Sequence, residues 1–127
     1  MEKKILVVDD EAPIRLLLDK VLTKAGFTVT TAESAEAAID ILGKDQIQIM
    51  FIDLKLPGMN GIELCRRIRK ENPIACIYSM TGYGSLFELA DYREAGFDDY
   101  FLKPIDMEVF IKTAGDAYEK LARWRQR

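Results

Sequence analysis

The chain has 127 residues, a length that supports one hydrophobic core and leaves too little for two. With 49% apolar and 31% charged residues, it has the balance of a folded domain and not the polar excess of a disordered chain. A formal net charge of -3 and the lack of any histidine exclude a general electrostatic footprint for nucleic acid or an anionic membrane, although Lys120, Arg123, Arg125 and Arg127 make the end of the chain locally basic.

Met1 to Lys4 run directly into the strand-like Ile5 to Val8, which leaves no space for a signal peptide, and no apolar run approaches the length of a membrane span. The expectation is a cytoplasmic protein without a membrane partner. A first helix follows, with Ile14, Leu17, Leu18, Val21 and Leu22 at helical steps, Pro13 in its first turn and Gly26 at its stop. Phe27 to Thr31 reads as a second strand and Ser34 to Leu42 as a second helix. Ile47 to Ile52 supplies the third strand. The third helix opens with Asn60 and Glu63 three residues later, carries Ile62, Leu64, Cys65 and Ile68, and ends before Pro73.

Ala75 to Met80 is the fourth strand, after which Ser85 and Glu88 suggest a capping box for a helix that Gly96 closes. Tyr100 to Leu102 is the fifth strand. The fifth helix follows Asp106 and places Val109, Phe110, Thr113, Ala117 and Leu121 on its apolar side. Cys65 and Cys76 lack the spacing of a metal clip or a disulfide framework, which points to a reducing compartment.

Strands alternating with helices through short connections predict an α/β fold: a doubly wound, flavodoxin-like three-layer sandwich with five helices around a five-stranded parallel sheet of order 2-1-3-4-5. Such a sheet binds its ligands at the carboxyl ends of its strands. Here those ends carry Asp9-Asp10-Glu11, Asp53, Thr81 and Lys103-Pro104. Carboxylates converging on one small cleft repel one another, and a hard divalent cation with a preference for oxygen relieves that repulsion. A carboxylate beside such a cation can attack phosphorus, since phosphoryl transfer mostly requires positioning and charge neutralisation. Asp53 is the candidate nucleophile, with the Lys103 ammonium and the Thr81 hydroxyl as partners for phosphoryl oxygens. Each residue alone has a plainer reading: acids at a helix start, a turn aspartate before Pro57-Gly58, a solvated lysine. Their joint placement at the ends of different strands carries the argument.

At these residues the sequence resembles the response-regulator receiver family of two-component signalling. The resemblance runs through Val7-Val8-Asp9-Asp10-Glu11, the segment Asp53 to Gly61, Met80-Thr81-Gly82 and Leu102-Lys103-Pro104. It implies that Asp53 is the phosphoacceptor and that Asp9, Asp10, Asp53 and the backbone carbonyl of Lys55 surround Mg²⁺ or Mn²⁺, Asp9 mainly through a water. It also implies that Lys103 and Thr81 contact the phosphoryl group, that Thr81 and Tyr100 form the switch, and that the Lys103–Pro104 bond is cis. Lys55 and Tyr83 then bear on how readily water attacks the acyl phosphate. The partners implied are a histidine kinase or phosphotransfer protein and a downstream output protein or domain, with a phosphorylation-dependent dimer as a further option; direct nucleic-acid binding is not implied.

Residues 1–127 are thus expected to form one receiver domain with no output domain in the chain. It would be a signalling switch that catalyses its own phosphorylation and dephosphorylation, not a turnover enzyme. Two rivals fit the residues less well. A haloacid-dehalogenase-like phosphohydrolase needs an Asp-x-Asp nucleophile on the first strand and a cap insert, whereas this chain has adjacent acids there and short loops. A flavin-binding module needs a Ser/Thr/Gly-rich phosphate loop where Asp9-Asp10-Glu11 stands.

Overall fold

The computed structural model describes residues 2–82 and 86–125, the side chains of 86–90 excepted. Ten elements alternate: β1 Lys4–Val8, α1 Ala12–Lys24, β2 Thr28–Ala32, α2 Ala35–Lys44, β3 Ile49–Asp53, α3 Gly61–Glu71, β4 Cys76–Thr81, α4 Leu86–Ala95, β5 Asp99–Leu102 and α5 Met107–Arg125. All strand pairs are parallel and the order is β2-β1-β3-β4-β5, as expected. β3 and β4 are buried along their whole length and β1 nearly so, which is why their sequences are continuous apolar runs; the edge strands β2 and β5 are partly exposed.

Side chains alternate between the two faces of the sheet and make two cores. Leu6, Val8, Met50, Ile52 and Ile77 face α2, α3 and α4 through Ala35, Ala38, Leu64, Cys65, Ile68, Tyr92 and Ala95. Ile5, Val7, Ile49, Phe51, Tyr78 and Phe101 face α1 and α5 through Leu18, Leu22, Phe110, Ala114, Ala117 and Leu121. Phe51 anchors the second core, with its ring centroid 4.3 Å from Phe110 and 5.1 Å from Tyr78. Such aromatic pairs add roughly 0.5–1.5 kcal/mol beyond the area they bury. Cys65 and Cys76 are free and buried, one in each core, and burial pushes the Cys65 thiol up to about 12.

Helix ends follow local chemistry. Ser34 Oγ accepts from Ala37 N, Asn60 Oδ1 accepts from Glu63 N, and Asp106 Oδ1 accepts from the amides of Glu108 and Val109. Gly26 and Gly96 take the left-handed conformation after α1 and α4. The expected cap at Ser85 lies outside the described residues.

Three details differ from the sequence reading. β3 starts at Ile49 and not Ile47, and pairing carries β2, β3 and β4 one residue past their apolar runs, to Ala32, Asp53 and Thr81. On α5 the buried stripe is Phe110, Ala114, Ala117 and Leu121. Val109 is 50% exposed and Thr113 turns its hydroxyl to the Val109 carbonyl, because a stripe through Phe110 at steps of four and three rotates both outward. On α1, Leu18 and Leu22 are buried, whereas Leu17, like Leu16, is exposed.

Candidate functional site

Because Asp53 is the last residue of β3, with Met80 as its partner on β4, its position is set by a buried ladder and not by a loop. Its carboxylate is almost fully buried. Oδ1 accepts from Lys55 N at 3.1 Å, and Oδ2 accepts from Lys103 Nζ at 3.3 Å. One residue past β1, Asp9 is still tied to β2 through its amide, which donates to Ala32 O at 3.0 Å. Its buried carboxylate accepts from Glu11 N at 2.9 Å and from Lys103 Nζ at 2.9 Å. Lys103 therefore spans two carboxylates from different strands, with Glu11 Oε1 a further 3.7 Å contact.

The ammonium is aimed from the end of β5, where Lys103 N donates to Thr81 O at 2.8 Å and the Lys103–Pro104 bond is cis. Thr81, buried at the end of β4, thus meets Lys103 through the backbone. Asp10 is exposed at the rim. One carboxylate oxygen each from Asp9, Asp10, Glu11 and Asp53 lie within 4.8 Å of one another. Four carboxylates against one ammonium leave an excess of negative charge. The donor set is all hard oxygen at a spacing that suits Mg²⁺ or Mn²⁺.

Burial raises the Asp53 carboxyl above the ordinary aspartate value. The Asp9 charge pushes the same way, and the Lys55 amide and Lys103 ammonium only partly offset the two. Lys103 is drawn down by burial, but its hydrogen bond to Asp9 and the charges of Asp9 and Asp53 outweigh that, and its value is raised. The ammonium stays charged, and the ionised form of the Asp53 carboxyl is disfavoured by its burial and by the Asp9 charge.

The structure thus brings together Asp9, Asp10, Asp53 and Lys103, with Thr81 adjoining. Tyr100 stands apart on the edge strand and is 40% exposed. Lys55 contributes its amide to Asp53, while Tyr83 lies outside the described residues. Three supporting residues carried no separate signal in the sequence. Arg15 Nη1 donates to Asp9 O at 2.8 Å and fixes α1 to the end of β1. Glu36 Oε1 accepts from Met59 N at 3.3 Å and steadies the β3–α3 loop. At Gly61, a Cβ would fall 2.8 Å from Leu54 Cα and closer still to Asp53 O, so only glycine lets α3 begin against the end of β3. A separate concavity of about 820 Å³, lined by Lys4, Gln48, Ile74, Leu121 and Trp124, opens at the opposite pole of the sheet.

The family model of the response regulator receiver domain matches residues 5–114. The chain belongs to the response regulator receiver family. It is 36% identical to sporulation initiation phosphotransferase F of Bacillus subtilis (strain 168) over 108 residues, covering 85% of this chain and 87% of that protein. It is 38% identical to the probable transcriptional regulator ycf27 of Porphyra purpurea over 115 residues, 88% of this chain and 47% of the relative, so the receiver spans about half the length of that regulator. In structure it resembles a CheY-like response regulator receiver domain protein from Methanospirillum hungatei JF-1, with a TM-score of 0.91, 27% identity and coverage of 97% and 98% of the two chains. Receiver domains are signalling switches of two-component systems, and this receiver carries the acidic cluster of Asp9, Asp10, Glu11 and Asp53 at its strand ends. No helix among its described residues is long and apolar enough to cross a membrane.

Proposed function

We propose that this receiver takes a phosphoryl group onto Asp53 from the phosphohistidine of a kinase or phosphotransfer protein and passes the event on as a change of surface. An Asp53 carboxylate oxygen attacks phosphorus; the new O–P bond forms as the P–N bond breaks, and the electron pair leaves with the imidazole. Mg²⁺ or Mn²⁺, held by Asp9, Asp10, Asp53 and the Lys55 carbonyl, would supply neutralisation of the phosphoryl oxygens. Lys103 shifts from bridging two carboxylates to pairing with a phosphoryl oxygen, while the Thr81 hydroxyl donates to another. Water later attacks the phosphorus of the acyl phosphate; the P–O bond to Asp53 breaks, its electron pair returns to the carboxylate, and inorganic phosphate leaves.

The observation that best supports this reading is the Lys103 ammonium, 2.9 Å from Asp9 and 3.3 Å from Asp53 in an all-oxygen acidic cleft. For the output we read the same region: Thr81 ends the strand that pairs with β5, and its capture by a phosphoryl group would bias Tyr100 and the α4–β5–α5 surface. A downstream partner, or a second receiver, reads that surface. Residues 1–127 act here as one receiver unit.

The cation half of the proposal is tested by calorimetric titration with Mg²⁺. The wild type should bind one ion, and Asp10→Asn, an exposed position that leaves the core intact, should bind at least about tenfold more weakly. A wild type that binds no Mg²⁺ would remove the basis for transfer.

A further inference from the structure

Across the sheet, Ala32, Val8, Ile52, Ser79 and Tyr100 lie side by side in register. The first three belong to the core beneath α2, α3 and α4, and the last sits half-exposed on the edge. Between them Ser79 is 0% exposed, and its Oγ has no hydrogen-bond partner among the described residues. A buried hydroxyl without a partner is a cost that alanine would avoid, so packing in this arrangement does not account for the serine.

Its neighbour does. Adjacent strands lie about 4.8 Å apart and partnered residues of a parallel pair share a face, so a Tyr100 ring turned inward from β5 lies across Ser79. A branched side chain there would fill that path. A phenol carried into the core needs a hydrogen-bond partner, and Ser79 Oγ has none among the described residues. Thr81, two residues on, stands on the same face of β4 beside Leu102, so a movement of Thr81 towards Asp53 clears the adjoining row.

We propose that Ser79 is a positioning residue for Tyr100: its small side chain keeps a berth on β4 for the ring, and its hydroxyl is the partner of the inward phenol. This rests on the reading of Asp53 as phosphoacceptor and Tyr100 as switch residue, and adds the residue that admits the ring.

The test is ¹⁹F NMR of the full chain labelled with 3-fluorotyrosine, the Tyr100 resonance being assigned by Tyr100→Phe. Spectra are taken with and without Mg²⁺ and beryllofluoride, and solvent isotope shifts separate the inward ring from the exposed one. Ser79→Val should cut the inward population about tenfold in both states, while acetyl phosphate still labels the variant as it does the wild type. Ser79→Ala, which keeps the space and loses the partner, should cut it about threefold. A valine variant with the wild-type population, an alanine variant as depleted as valine, or a wild-type ring exposed under every condition would overturn the proposal. Failure of the phosphoacceptor reading is separate: it shows as a missing mass adduct in the wild type, while the ligand-free spectra still judge Ser79.

Discussion

At Asp53, burial and the charge of Asp9 raise the carboxyl's pKa, and the folded state therefore favours the protonated form over what an unfolded chain would hold. The contribution of this group to stability is then present at acid pH and lost as pH rises through the raised value. Asp53→Asn should accordingly raise the thermal midpoint at pH 7, in chelator, by roughly 4 °C, the shift that about 1 kcal/mol gives a domain of this size. The gain should shrink as pH falls through the raised folded value and be gone below about pH 4, where the carboxyl is protonated in the unfolded chain as well. A variant less stable than the wild type at pH 7 would show that the Lys103 pairing outweighs burial. Gly61→Ala tests the floor of the site: the added carbon meets the backbone of Asp53 and Leu54, and denaturant unfolding should show a loss of about 1–3 kcal/mol. Asp9, Asp10, Asp53, Thr81 and Lys103 were legible because acids, hydroxyl and lysine fell at the ends of apolar runs. Gly61 lay within the recognised stretch, but its close approach to a strand is a fact of three dimensions.

Elements were legible wherever burial imposed a period, and less so where hydrogen bonding or a neighbour decided. The apolar runs located every strand, yet Asp53 and Thr81 join β3 and β4 because ladder pairing does not stop where hydrophobicity does. Val109 and Thr113 were misplaced because an apolar residue beside a helical stripe looks like part of it until the partner sheet fixes the rotation. Arg69 had no legible role at all, since its partners are mostly backbone carbonyls. Its guanidinium donates to Gly96 O, to Pro73 O at 2.9 Å, to Ala75 O at 2.6 Å and to Asp98 Oδ2 at 3.2 Å, and Asp98 in turn accepts from Ile77 N at 2.8 Å. One side chain thus fastens the end of α3 to the start of β4 and to the α4–β5 turn. Arg69→Ala should lower stability by about 2–3 kcal/mol, read as a lower denaturation midpoint at unchanged slope. Arg69→Lys should recover little of it, because a lysine cannot present the planar fork. Full recovery by lysine would mean that only the charge matters.

For the whole molecule, the doubly wound order gathers groups that are up to 94 positions apart in sequence, Asp9 and Lys103, into one part-buried ion pair at one pole of the sheet. Three-layer packing holds them there: the Phe51–Phe110 core lies beneath the strands that present Asp53, and α1 is tied to Asp9 by Arg15. The opposite pole carries Trp124, 59% exposed, on the wall of the large concavity, so the acidic cleft and that hollow are separated by the length of the strands. The fold could be read because five alternating units admit few topologies; the candidate site could be read because Asp9, Asp10, Glu11, Asp53 and Lys103 all fall at the carboxyl ends of strands, which the fold gathers at one rim. The most direct test of that assignment is intact mass after incubation with acetyl phosphate, with Mg²⁺ and with chelator, for the wild type and for Asp53→Asn. The account predicts a single base-labile phosphoryl adduct on the wild type that needs Mg²⁺ and is lost in the variant. An adduct that persists in Asp53→Asn, or a folded, Mg²⁺-bound wild type that takes none, would contradict it.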